Sequence, residues 1–141
     1  MKSLTSLAVA ATLLAPVAVE AGEAMQQHTK DRVSAYVRVS IAWIANESCM
    51  FVMGDEREGF LDNVALNVVG LNRELSDTGT DPRTASAFLR MLQGQAIKQF
   101  DENYRACGKD VEGMVHDGIM EAVAINESIA KHGPYVDPRR K

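Results

Sequence analysis

The chain is most informative for what it lacks. It has only two cysteines in 141 residues, Cys49 and Cys107, set too far apart for a Cys-x-x-Cys redox pair or a Cys-x-x-Cys-His haem attachment. No Gly-x-Ser-x-Gly elbow, His-Glu-x-x-His helix or phosphate-cradling glycine loop occurs, so the common local signatures of hydrolysis and nucleotide binding are missing. Basic residues are outnumbered, 15 to 19, and the net charge is −4. That balance excludes the clustered basic surface that nucleic acid demands. No run of alternating apolar and polar residues competes with helical periodicity, and no apolar stretch after residue 21 is long enough to cross a bilayer. A lipid-anchored cysteine terminus is excluded as well, because no cysteine follows the first segment closely.

What is present begins with that first segment. Lys2 is followed by an uncharged run from Leu4 to Val19, and Val19-Glu20-Ala21 offers the small or branched residues read by a signal peptidase. This order predicts a secretory signal over residues 1–21, cut after Ala21, with Ala24 as the second choice. A membrane anchor is the competing reading. The run is short for a span of about 20 residues, holds Pro16 and lacks a basic stop-transfer flank. Export to the periplasm, or secretion to the outside, is therefore expected, with a soluble mature chain.

Four apolar stripes at helical spacing follow, predicting an all-α, antiparallel up-down four-helix bundle over residues 22–132. The first runs Val33, Tyr36, Val37, Ser40, Ile41, Ile44 on a helix from about Thr29 to Val52, ended by Gly54 in a left-handed cap. Acids from Asp55 to Glu58 open the second, whose stripe is Phe60, Leu61, Val64, Ala65, Val68, Leu71 and Leu75. Asp81-Pro82 is a cap followed by a first-turn proline, and starts the third: Ala85, Phe88, Leu89, Leu92, Ala96, Phe100 and Tyr104. Cys107-Gly108 closes it. Asp110 is placed to cap the fourth, which carries a heptad-like seam of Val111, Val115, Gly118, Ala122, Ile125 and Ile129. His132-Gly133-Pro134 ends that helix, leaving residues 133–141 as an extended basic tail, read as solvated and free, with docking to an acidic partner or anionic surface as the alternative.

In an oxidising compartment the two cysteines read as a disulfide, Cys49–Cys107. Both would fall at the C-terminal ends of the first and third helices. These share a pole but sit on a diagonal of the bundle, so the helices must converge for the bridge to close.

Chemistry-bearing residues are few. His28, His132 and Met25 share the opposite pole, where Met/His or His/His pairs could ligate haem or a metal. Glu112 and His116 are four apart on the fourth helix, near Met114, Asp117, Met120 and Glu121, but no third ligand completes that set. Met50 and Met53 read as core. The carboxylates Asp55, Glu56 and Glu58, and the pair Asp101 and Glu102, read as first-turn acids and a solvated face. Asn46-Glu47-Ser48 and Asn126-Glu127-Ser128 fit a glycosylation sequon but fall inside helices, and are read as chance. Trp43, the single tryptophan, lies beside the first stripe. It either widens the core face or anchors a partner.

The expectation is a protein-binding module of the inhibitor, immunity, chaperone or envelope-adaptor type. It has an unknown protein partner, no catalytic residues, no cofactor and no nucleic-acid partner. A metal- or haem-binding periplasmic bundle is the alternative.

Overall fold

The computed structural model describes residues 26–104 and 106–140; the expected signal segment, its expected cleavage at Ala21 or Ala24, and Met25 lie outside them. The described residues form four helices, α1 (Gln27–Cys49), α2 (Gly54–Asp77), α3 (Pro82–Asn103) and α4 (Lys109–Lys131), and no strand. None of these helices is long and apolar enough to cross a membrane. Cys49 and Cys107 are joined in a disulfide, with Cα atoms 5.6 Å apart.

The element ends follow local chemistry, with three corrections. At α3 the expected start stands: Asp81 accepts hydrogen bonds from the backbone N–H of Arg83 at 2.9 Å and Thr84 at 3.3 Å, ahead of Pro82. At α1, however, Met50 and not Gly54 takes the left-handed position, with φ 55°. The cause is Asn46, whose side chain both donates to the Val52 carbonyl and accepts from the Val52 N–H, closing the turn early. Gly54, at φ 56°, opens α2 instead. At α4 the cap residue is Gly108, and Asp110 sits in the first turn with Glu112, where both complement the helix dipole. The same helix ends on His132 in the left-handed region (φ 50°). The Gly133 N–H then closes back on the Ser128 carbonyl.

Packing departs from the expected arrangement in one respect that matters. α1 packs on α4, α3 and α2; α2 packs on α4 and α3; α3 and α4, consecutive in sequence, barely touch. The first and third helices are therefore direct neighbours and not diagonal. Cys107 also lies beyond the end of α3, in the link to α4, so the bridge needs no convergence of helix axes. Across α1 and α4, Arg32 reaches Ser128, Arg38 reaches Glu121, and Ala42 lies against Gly118. A Cβ built on Gly118 would stand 2.2 Å from the Ala42 Cβ, so only glycine permits this approach.

α1 is the central element, buried on nearly every side from Thr29 to Asn46. The α4 seam packs as expected, with Val111, Val115, Gly118, Ala122 and Ile125 buried and Ile129 against the core. α2 is rotated relative to its expected stripe. Leu61 and Ala65 are exposed, and Asn67 is buried in their place, donating to the Ala122 carbonyl at 2.9 Å and to Asn126 Oδ1 at 2.7 Å. Met50 and Met53, expected in the core, are exposed.

Candidate functional site

Two charged side chains, Arg32 and Glu121, lie fully inside the bundle. Arg32, on α1, is 1% exposed. Its guanidinium donates to Glu74 on α2, to Ser128 Oγ at 2.8 Å, to the Ser128 carbonyl at 3.0 Å and to the Gly133 carbonyl. Glu74 also accepts from Thr29, and His28 Nε2 lies 3.3 Å from the same oxygen. The second knot centres on Glu121 of α4, likewise 1% exposed. Arg38 of α1 holds it with two parallel bonds of 2.9 Å, and the Tyr135 hydroxyl donates to it at 2.6 Å. Arg139 approaches at 3.6 Å while binding Asp137 through two further contacts. Buried charges survive only when paired in this way.

The second knot perturbs its members in a consistent direction. Burial, reinforced by the Glu121 carboxylate, pushes the Tyr135 phenol well above the ordinary tyrosine range. Arg139 holds the Asp137 carboxyl well below the usual carboxylate range. Burial works against the Arg38 charge, but Glu121 outweighs it and leaves the guanidinium more firmly protonated.

This knot also overturns the expectation of a free tail. Residues 133–137 form no helix or strand, and Tyr135 is packed against the core and hydrogen-bonded to Glu121. Of the terminal cations, Arg139 is engaged by Asp137 and Glu121, while Arg140 is exposed.

Beside the knot, where α3 and α4 fail to meet, a cleft of about 420 Å³ opens. Ile41 and Arg38 of α1 form its floor; Gly113, Met114, Asp117 and Gly118 of α4 form one wall; Tyr104, just past α3, forms the other. Lys109, Asp110 and Arg139 stand at its rim. Cations and carboxylates are balanced around an apolar centre, which suits a protein segment carrying charges of both signs. A second hollow of about 570 Å³, lined by Asp31, the tail and Arg38, adjoins it through the shared Arg38 and Arg139.

The residues singled out from sequence are distributed as follows. His28 and His132 do share an end of the bundle, but His28 is drawn to Glu74 and His132 is the α4 cap. Glu112, His116 and Met120 are exposed on α4, whereas Met114 and Asp117 line the cleft and Glu121 is the buried acid. Among the described residues no group of three His, Cys, Asp or Glu side chains is placed to hold a metal ion. Trp43 is half-buried, edge-on to Phe60 with ring centroids 5.3 Å apart, and the Arg57 guanidinium lies 5.3 Å over its other face. Asn46 is buried with both amide atoms engaged, and Asn126 donates to the carbonyl and side chain of Asn63. Neither is presented as a glycan acceptor would be.

Sequence periodicity missed Arg32, Glu74 and Glu121. A signal was available for two of them. Arg32 precedes Tyr36 by four on the α1 core face, and Glu121 falls between Gly118 and Ile125 on the α4 seam. Comparison with protein-family models, with curated proteins and with solved structures finds no match to this chain.

Proposed function

We propose that this is an exported helical protein that acts by binding another protein at the cleft between α1, α4 and Tyr104. The observation that carries the reading is the gap between α3 and α4, which leaves a concave site where Ile41, Met114 and Tyr104 are ringed by three cations and three carboxylates, Arg38, Lys109 and Arg139 against Asp110, Asp117 and Glu121. Export, to the periplasm first and the extracellular space second, is supported by the signal-like first segment and by a disulfide that suits an oxidising compartment. An up-down course of the four helices belongs to the same reading. Contacts across α1 and α4 run in opposite order (Arg32 to Ser128, Ala42 to Gly118), whereas those across α1 and α3 run in the same order (Gln93 to Tyr36, Cys107 to Cys49). The half-exposed Trp43 offers a further contact surface.

The test is to fill the cleft without disturbing the fold. A Cβ at Gly113 meets nothing within 4 Å, so Gly113→Trp places a large ring into the cleft from an unstrained helical site. Capture of the partner from the exported fraction is expected to fall at least tenfold with unchanged melting temperature. Undiminished capture by the filled protein would refute the assignment.

A further inference from the structure

The C-terminal segment caps the buried Glu121 and forms most of the wall of the second hollow. Beyond α4 it has no helix or strand, and its hold is confined to a few polar anchors. Gly133 is fixed by Arg32 and by the Ser128 hydroxyl, so Pro134 is the first residue beyond the anchored end of α4. Past that point the attachments to the bundle are the Tyr135 hydroxyl and ring and the approach of Arg139 to Glu121, while Val136 and Arg140 are exposed. A segment with so little buried surface belongs to the low-stability end of local opening.

The receiving groups, by contrast, do not depend on the segment. Glu121 is held by α4 and by the two-bond clamp of Arg38, so its position survives when the segment leaves. What would then remain is a carboxylate short of one donor, beside the cleft of about 420 Å³ from whose rim Arg139 has gone, with the space the segment had filled and walled now open next to Arg38 and Asp31. A buried acceptor stripped of its partner is a demand for another donor of the same geometry.

We propose that residues 134–140 are a removable strap, and that the site beneath it takes a segment of the partner protein that turns as the strap does. That segment presents a phenol to Glu121 and a guanidinium four residues later, in exchange for Tyr135 and Arg139. The inference rests on the protein-binding reading above and names the kind of partner segment that site accepts. The chain's own tail shows the binding mode: one aromatic hydroxyl on the buried acid, a turn closed by Asp137 through the Arg139 and Arg140 N–H groups, and one base brought back alongside. The strap is an intramolecular competitor that lowers the apparent affinity for the partner until it is displaced.

The experiment uses the full chain and a fluorescein-labelled peptide of sequence Gly-Pro-Tyr-Val-Asp-Pro-Arg-Arg-Lys, that of residues 133–141, read by fluorescence polarisation. A chain carrying Tyr135→Ala and Arg139→Ala is expected to bind the peptide at least tenfold more tightly than the unsubstituted chain does. Replacing the peptide's Tyr by Phe should weaken binding about tenfold, the loss expected for a hydrogen bond to a charged group. If the double variant loses helical circular dichroism, Tyr135→Phe, which keeps the ring, carries the comparison with a smaller shift in the same direction. Equal affinity for strapped and released chains, or no binding by a folded released chain, overturns the proposal. A dimer of the full chain that disappears on releasing the tail overturns it too, since the tail would then be an assembly element. Failure of the peptide while Gly113→Trp still blocks partner capture removes the strap alone and leaves the cleft reading standing.

Discussion

At the scale of single residues, burial sorts glycines and charges that look alike in sequence. Gly113 and Gly118 are five apart on one helix, yet a Cβ has open space at the first and stands 2.2 Å from Ala42 at the second. Gly118→Ala is therefore expected to destabilise the protein by about 1–3 kcal/mol through overpacking. Gly113→Ala should be neutral or stabilising by up to about 1 kcal/mol, through helix propensity. Chemical denaturation of the two variants makes the comparison, and equal effects would show that α1 and α4 do not approach closely there. The charged residues tell the reverse story about legibility. Position on a core face is the one local sign that sets Arg32 and Glu121 apart from the solvated charges nearby, and Glu74 lacks even that; the partners on other helices that permit their burial lie 42 to 96 residues away. A charge is read as exposed until the partner that allows its burial is known. The cleft was hidden for the same reason: its floor and walls come from three separate segments.

At the scale of elements, punctuation was legible where it is local. Asp81-Pro82 and the α4 seam each act within one helix, and each holds in the structure. Helix ends decided by longer reach were not legible. Gly54 and Gly133 are the residues that favour left-handed caps, yet Met50 and His132 occupy those positions. At α1 the Asn46–Val52 pair fixes the turn, and at α4 Arg32 and Ser128 seize the Gly133 carbonyl. A side chain at φ near 50° stores about 1–2 kcal/mol that glycine avoids, partly offset by glycine's greater freedom when unfolded. Met50→Gly is accordingly expected to stabilise the protein by roughly 0.5–1 kcal/mol, read as a higher melting temperature. A lower one would mean that the exposed Met50 side chain makes a stabilising contact.

At the scale of the whole molecule, composition and periodicity were enough for an all-helical chain with a Cys49–Cys107 bridge. They were not enough for which helices touch, because apolar stripes record that a face is buried and not against what. The bridge joins α1 to the link after α3 on the open side of the bundle, across a separation of 58 residues. In the chain-entropy account such a loop contributes about 4 kcal/mol. Reduction is expected to lower the melting temperature by roughly 10–15 °C. Helical circular dichroism at ambient temperature should persist, because four helices keep their buried faces; its loss would show that the core alone cannot hold the fold. The central claim is that the gap between α3 and α4 is where this protein meets its partner. The most direct measurement places a photo-activatable cross-linking residue at position 113, inside the cleft, and in a second protein at position 130, on the exposed face of α4. After irradiation in the exported compartment, one defined adduct is expected from position 113 and none from position 130. The same adducts from both positions, or none from position 113, would contradict the account.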